Sequence, residues 1–194
     1  MAELLAPLAG ARAAVAADRL IGHFGGLGRA LAAPGEQLAA ALGKDADLVP
    51  ALVAARRLVE AGLREDIRRT AVSPRDPQYR DFLRLVIGSS PNESVHVTFV
   101  TGEWGYLADE RIATGSPGAA HVSLRLLLSR AFDVGAHGIL LAHNHPSGSA
   151  EPSSADIRYT RRIARLTRAV DIVLLDHLIV GAGAIVSMRE RGLL

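Results

Sequence analysis

The chain has 194 residues, of which 49% are hydrophobic, and a formal net charge of only +2. So apolar a composition excludes a disordered chain, and the length suits one large domain or two small ones. There is no cysteine, which excludes disulfide frameworks and thiolate metal sites and fits a reducing cytosol.

The N-terminal end has the features of neither a signal peptide nor a membrane anchor. Glu3 lies where a signal peptide needs basic residues, and no stretch reaches about 18 uninterrupted apolar residues. We therefore expect a cytoplasmic protein without a membrane partner.

Residues 1–70 show helical patterns and no strand pattern, which predicts a small all-α domain. Helices are predicted over Ala11 to Phe24, Glu36 to Leu42 and Leu48 to Leu63, with a break at Pro34-Gly35. Prolines at positions 74 and 77 mark a boundary, so the second domain is predicted to span residues 74–194.

The second domain mixes strand and helix patterns without strict βαβ alternation. This predicts an α+β fold in which a mixed sheet packs against helices. Five strands are expected: Ser94 to Val100, Tyr106 to Ala113, Gly138 to Ala142, Asp171 to Val180 and Ala184 to Ser187. Helices are expected over Gln78 to Ile87, over Ser123 to Gly135 and after Ser153.

Two histidines follow the third of these strands. Side chains two residues apart on an extended segment face the same side, and Pro146 favours extended geometry at His145, so His143 and His145 should point together. Ser153 then lies at a helix N-cap position and Asp156 in the first turn of that helix. A strand end should thus face a helix start, where one metal ion could take all three side chains.

Two histidines and one aspartate match the ligand count of a catalytic zinc site, in which water takes the fourth position. Zinc lowers the pKa of that water to about 7. Hydrolysis also needs a base and a donor for the oxyanion. Glu93, at the start of the first strand, is the candidate base, and Ser153 is the candidate oxyanion donor.

Each of these signals has an ordinary structural explanation as well. Histidines two apart occur by chance in loops, and Ser-x-x-Asp is also a capping box in which Asp156 binds backbone N–H groups and no metal. A glutamate at a strand start is most often exposed. His177 and Asp176 could belong to the core or could orient a ligand. The other histidines lack ligand-like spacing and are expected to be structural or exposed: His23, His96, His121 and His137.

The run from Glu93 to Leu194 resembles the RadC family of bacteria, a branch of the JAMM (MPN) metalloprotease-like domains. The residues from His143 to Gly148 and from Pro152 to Asp156 reproduce that family's motif, and Leu174 to Gly181 follows its ending. The resemblance implies a JAMM/MPN-like fold of the cytidine-deaminase-like type. Thr101 and the segment around Ser123 depart from the family, so a shared substrate does not follow.

The resemblance also assigns roles to individual residues. It implies that His143, His145 and Asp156 bind zinc, that Glu93 activates the water and that Ser153 stabilises the tetrahedral intermediate. The implied substrates are peptide or isopeptide bonds, so a peptide or protein partner is expected.

Two alternatives of other classes stay open. The residues from His23 to Leu27 with Leu38 and Gly43 resemble the helix-hairpin-helix segment of RadC proteins, but the turn from Gly43 to Leu48 has two aspartates and no second glycine. Five arginines between Arg158 and Arg168 share a helix face. A DNA-associated protein of the DNA repair type is the first alternative, and a catalytically silent protein-binding scaffold is the second.

Overall fold

The structure is a computed structural model and describes residues 1–88, 90, 92–115 and 122–194. The chain divides into two compact units, Met1–Gly62 and Leu63–Leu194. None of the helices in these ranges combines the length and the apolarity that crossing a membrane requires.

The first unit contains only helices, as the sequence predicts. Its elements are α1 (Ala2–Ala9), a 3₁₀ turn (Gly10–Arg12), α2 (Ala13–Phe24), α3 (Leu27–Ala32), α4 (Gly35–Leu42), a second 3₁₀ segment (Gly43–Leu48) and α5 (Val49–Arg69), whose residues from Leu63 belong to the second unit. Ala16 and Leu20 of α2 pack with Leu38 and Leu42 of α4 in its core.

The sequence patterns failed to predict α1 and α3. Pro7 lies within α1, and glycines precede and interrupt α3, so both segments have low intrinsic helix propensity. Burial of Leu5 and Ala9 in α1 and of Ala30 in α3 overrides that propensity. The prediction also ended α5 too early, because that helix continues to Arg69.

The segment that resembles a helix-hairpin-helix turn is held by ion pairs within the first unit. The Asp45 carboxylate is buried and lies 3.0 Å from Nη1 of Arg12 and 2.9 Å from Nη1 of Arg19. Asp47 also pairs with Arg12, at 2.9 Å. The two aspartates that depart from the family pattern therefore form ion pairs within this unit, of which only those of Asp45 involve a buried carboxylate.

The second unit is built on one mixed sheet, which confirms the predicted fold class. Its elements are α6 (Pro77–Val86), β1 (Glu93–Val100), β2 (Tyr106–Gly115), α7 (Leu124–Asp133), β3 (Gly138–Asn144), α8 (Ser154–Arg168), β4 (Val173–Val180) and β5 (Ile185–Ser187). The strand order is β2-β1-β3-β4-β5, with β3 and β4 parallel and the other neighbours antiparallel.

Central strand β3 is buried along its whole length and contributes to a core on each side of the sheet. Ile139 and Leu141 pack with Ile163 of α8, on the side we call the α8 face. Leu140 and Ala142 pack with Phe82 of α6 on the opposite side. Both faces are covered, which explains why this strand is a continuous apolar run.

The sequence placed the start of β4 two residues too early. Asp171 has φ 60°, a left-handed turn conformation, and the Ile172 N–H donates to the Thr167 carbonyl at the end of α8. The strand therefore begins only at Val173.

Candidate metal centre

The end of β3 lies beside the start of α8 because the intervening loop is held against the end of β4. The His145 N–H donates to the Val180 carbonyl at 3.0 Å, and the Ala182 N–H donates to the Gly148 carbonyl at 2.9 Å. Gly181 permits this approach, since a Cβ there would lie 2.6 Å from the Gly148 carbonyl oxygen. These contacts fix where the two histidines point.

The structure brings together the three predicted ligand residues. Nε2 of His143 lies 2.9 Å from Nε2 of His145. Oδ1 of Asp156 is 3.3 Å from Nε2 of His143, and Oδ2 is 3.4 Å from Nε2 of His145. The His143 side chain is buried, and the side chains of His145 and Asp156 are partly buried.

The loop fixes the tautomer of His145. Its Nδ1 lies 3.0 Å from the Ser149 carbonyl oxygen. A carbonyl oxygen only accepts, so Nδ1 carries the proton, and in the neutral imidazole Nε2 keeps a lone pair. That lone pair faces Asp156 and His143, which is the arrangement a metal ligand needs.

Asp156 is a capping residue and a member of the trio at once. Its Oδ2 accepts the Ser153 backbone N–H at 2.7 Å and the Ser153 hydroxyl at 2.6 Å, while Oγ of Ser153 accepts the Asp156 N–H at 3.1 Å. Burial alone would raise the pKa of Asp156, but hydrogen bonds from His143 and Ser153 lower it well below its usual range. The carboxylate is therefore ionised at neutral pH.

A second buried histidine lies behind His143. Nδ1 of His143 is 2.8 Å from Nε2 of His177, and Nδ1 of His177 is 2.6 Å from the Thr160 hydroxyl oxygen. Burial lowers the pKa of His177 well below its usual range, so the ring is neutral. Thr160 was not among the predicted site residues, although its position four residues after Asp156 places it on the same helix face.

The register of the sheet places Glu93 on the same sheet face as His143. Val95 of β1 pairs with His143 of β3, so their side chains share a face, and Glu93, two residues before Val95, shares it too. The side chain is partly buried. Within the described ranges, no residue forms a recorded hydrogen bond or ion pair with the Glu93 carboxylate.

Asn144, between the two histidines, points the other way and binds backbone. Its Oδ1 accepts the Ser94 N–H at 2.8 Å, and its Nδ2 donates to the carbonyls of Ser90 and Asn92 at 3.0 and 3.2 Å. No role was predicted for Asn144. The sequence does indicate one, because a polar side chain in a buried strand needs hydrogen-bond partners.

Asp176 orients backbone and has no recorded contact with the trio. Its carboxylate accepts the N–H groups of His177 and Arg189, at 2.7 and 3.0 Å, and the Ser187 hydroxyl at 2.5 Å. It therefore joins β4 to β5 and fixes the backbone at His177.

None of the other histidines that the structure describes joins the group of converging ligand atoms. His96 is buried beside Asp109, and the rings of His23 and Phe24 contact edge to face. The His137 side chain is exposed, and His121 lies outside the described residues.

The donor set of the trio fits a divalent metal. One imidazole lone pair and one ionised carboxylate converge with Nε2 of His143, and their ligand atoms all lie within 4.8 Å of one another. Converging acceptors repel unless a cation lies between them. Two nitrogens and one oxygen match the three protein ligands of a catalytic zinc site.

Comparison with known proteins identifies the family. Residues 73–193 match the RadC-like JAB domain. A UPF0758 protein of Methylibium petroleiphilum is 37% identical over 92% of this chain and 80% of its own length. UPF0758 proteins of Aliivibrio fischeri and Paracidovorax citrulli are 35% and 38% identical, over 98% and 99% of this chain and 88% and 80% of their own lengths. The protein therefore belongs to the RadC family and carries its JAB-type domain.

Proposed function

We propose that this protein is a zinc-dependent hydrolase that cleaves peptide or isopeptide bonds. His143, His145 and Asp156 would hold the metal, and Glu93 would act as general base. The observation that carries the proposal is the convergence of three ligand atoms within 4.8 Å on the sheet face that also carries Glu93, whose carboxylate has no recorded partner in the described part of the chain.

The proposed chemistry divides between the metal and the protein. A bound zinc lowers the pKa of its water and polarises the carbonyl to be attacked. Glu93 is suited to accept the proton of the attacking water, because its carboxylate has no competing partner among the described residues. The same carboxylate would then deliver the proton to the leaving amine nitrogen.

Ser153 is the proposed oxyanion donor. Its hydroxyl lies at the N-terminal end of α8 and points at Oδ2 of Asp156, 2.6 Å away. In the proposed reaction the hydroxyl turns from Asp156 toward the oxygen that gains charge. In other enzymes, removal of one oxyanion donor lowers the reaction rate by about 100- to 1,000-fold.

The function is tested with zinc-loaded full-length protein and a quenched-fluorescence peptide library, together with peptides joined through a lysine side chain. Glu93→Gln should retain zinc and lose cleavage, because the amide cannot accept the proton. Glu103→Gln is the matched control, since Glu103 is an exposed glutamate in the turn between β1 and β2.

The possible outcomes distinguish a hydrolase from a catalytically silent scaffold protein. Cleavage by the wild type and by Glu103→Gln but not by Glu93→Gln supports the proposal. Equal cleavage by Glu93→Gln would contradict the assigned base. Zinc-loaded wild type that leaves every peptide intact would favour a silent, protein-binding domain.

Nucleic-acid binding is a second proposal, carried by one surface. The five arginines Arg158, Arg161, Arg162, Arg165 and Arg168 are all exposed on α8. Arg161 donates to the Leu193 carbonyl, and for the other four no ion pair with a carboxylate is recorded in the described ranges. If these arginines bind phosphates, DNA affinity should fall steeply as the salt concentration rises and should be lower in Arg165→Glu than in the wild type. Fluorescence anisotropy measures both effects. Binding that is absent or insensitive to salt would exclude this second proposal.

A further inference from the structure

We propose that a cavity between α7 and α8 is a binding site for the C-terminal residue of a peptide, whose large apolar side chain enters the cavity while its carboxylate binds Arg162. The cavity has a volume of about 290 Å³ and lies on the α8 face of the sheet. The inference does not depend on the proposed metal site, because no member of the trio lines the cavity.

Aliphatic side chains form most of the cavity wall. Among the described residues, four of the six lining side chains are aliphatic: Val122, Leu124, Ile163 and Leu166. Val122 and Ile163 are buried, and the two leucines are partly buried. Leu124 is the first residue of α7, whereas Ile163 and Leu166 belong to α8, so both helices contribute to the wall. Such a wall favours an apolar ligand group, because contact with it removes apolar surface from water.

The hydroxyl of Tyr159, a fifth lining residue, is already engaged within the protein. It donates to the Val122 carbonyl at 2.7 Å, which joins α8 to the segment that leads into α7. A phenol has one proton, so this hydroxyl does not donate to a ligand. Tyr159 therefore contributes its ring to the cavity wall.

Arg162 is the charged group at the cavity. Its side chain lines the cavity and is also exposed to solvent, so the guanidinium lies at the rim. No hydrogen bond or ion pair of Arg162 is recorded in the part of the chain that the structure describes. A guanidinium binds a carboxylate through two parallel N–H donors. An apolar cavity with this group at its rim fits a ligand that joins an apolar group to a carboxylate.

The volume of the cavity suits one large side chain. An apolar cavity of about 150 Å³ already holds a benzene molecule, so about 290 Å³ has room for the side chain of a phenylalanine or a leucine. In the last residue of a peptide, the side chain and the carboxylate are attached to the same carbon. The side chain can therefore enter the cavity while the carboxylate stays at Arg162 and the preceding residues remain in solvent.

Two other anionic ligands fit the cavity less well. A nucleotide has polar base edges that need hydrogen-bond partners, and the aliphatic wall offers none. A fatty acid also joins an apolar chain to a carboxylate, but a long acyl chain exceeds a cavity of this volume and would leave apolar surface in water. Both ligands are included in the test as alternatives.

Binding is measured from amide shift changes of ¹⁵N-labelled full-length protein without added metal. The probes are acetyl-Gly-Gly-Phe with a free C-terminal carboxylate, the same peptide with a C-terminal amide, decanoate and a single-stranded DNA oligonucleotide. Arg162→Gln removes the charge, and Arg165→Gln is its control, because Arg165 is exposed on α8 and does not line the cavity. Leu166→Trp fills the cavity, and Leu126→Trp is its control, because Leu126 is exposed on α7 and is not a lining residue.

We expect the peptide acid to bind the wild type and to shift the amide signals of Tyr159, Ile163 and Leu166. The acid should bind about tenfold more tightly than the amide, because only the acid forms charged hydrogen bonds with Arg162. Arg162→Gln should bind acid and amide equally, and Leu166→Trp should bind neither. Both control variants should keep the wild-type affinities.

The inference is wrong if the wild type does not bind the peptide acid or binds acid and amide equally. It is also wrong if Arg162→Gln keeps the preference for the acid or if Leu166→Trp keeps the wild-type affinity. Binding of decanoate or DNA in place of the acid would assign the cavity to that ligand instead. The comparison of acid with amide in the wild type decides the matter even if Leu166→Trp does not fold. Failure of the proposed zinc chemistry looks different, because peptide binding is measured without metal.

Discussion

The side chain of Asn144 binds the backbone of Ser94, the residue that follows the proposed base. Oδ1 of Asn144 accepts the Ser94 N–H at 2.8 Å, and Nδ2 donates to the carbonyls of Ser90 and Asn92. Because Asn144 lies between His143 and His145, one three-residue segment holds two proposed metal ligands and the chain that carries Glu93. The spacing between the proposed base and the proposed ligands therefore depends on the amide of Asn144.

Asn144→Ala should slow hydrolysis without removing the metal. The backbone around Glu93 loses three hydrogen bonds, and a displacement of about 1 Å at a catalytic group costs about 100-fold in rate. The expected result is a lower kcat, measured with the best cleaved library peptide, and an unchanged zinc content.

Asn92→Ala is the control for this variant, because the Asn92 side chain is exposed while its carbonyl accepts from Asn144. Its kcat should match the wild type. If Asn144→Ala kept wild-type kcat, the amide would have no part in placing Glu93.

Ser153→Ala should weaken both helix α8 and the metal site. The variant loses the hydroxyl that caps the Asp156 N–H and that donates to Oδ2 of Asp156. Loss of an N-cap costs about 1 kcal/mol, measurable as a lower free energy of unfolding in urea. Zinc affinity should fall by about tenfold, since ligating carboxylates depend on such hydrogen bonds. Ser153→Thr should recover both quantities, and an unchanged unfolding free energy in Ser153→Ala would contradict the capping role.

Asp109 forms a buried ionic cluster on the side of the sheet opposite the metal site. Its carboxylate lies 2.6 Å from Nε of Arg64 and 3.3 Å from Nε2 of His96, and it accepts the Tyr106 hydroxyl. Burial alone would raise the pKa of Asp109, but His96, Arg64 and Tyr106 lower it well below its usual range. A carboxyl group whose pKa is lower in the folded than in the unfolded state stabilises the fold at pH values above its unfolded pKa. For aspartate that unfolded pKa is about 3.9.

Asp109→Asn should therefore reduce stability in a pH-dependent way. At pH 7 the free energy of unfolding should fall by about 3 kcal/mol, because the variant leaves Arg64 without its partner. The difference from wild type should shrink as the pH falls below about 4, where the wild type itself begins to lose the stabilisation.

Denaturant unfolding across pH tests this expectation, with Asp81→Asn as the control. Asp81 forms an exposed ion pair with Arg84, and such pairs contribute little. A difference between wild type and Asp109→Asn that stayed constant down to pH 3 would show that ionisation of Asp109 does not stabilise the fold.

The family and the convergence of the three proposed ligands could be predicted from the sequence, because the motif that carries both is local. The alternation of a strand places His143 and His145 together, and Ser153 marks the helix start that presents Asp156. The hydrogen bond between His143 and His177 could not be predicted in the same way. His177 reaches His143 only through the pairing of β3 with β4, which are separated by a helix in the sequence.

Local patterns also failed where packing overrides propensity. Helix α1 contains Pro7, and its formation depends on burial of Leu5 and Ala9 against the rest of the first unit. Asp171 sits in a strand-like run, but its positive φ belongs to the turn that ends α8. Both are consequences of tertiary structure that a local pattern does not contain.

Anomalous diffraction at the zinc edge, from crystals of the zinc-reconstituted full-length protein, tests the central claim most directly. The account predicts a peak about 2.0–2.2 Å from Nε2 of His143, Nε2 of His145 and a carboxylate oxygen of Asp156. The peak should be absent in His143→Ala and present in His137→Ala, which removes an exposed histidine. A zinc peak at other residues, or none in the wild type, would contradict the metal site and the function proposed for it.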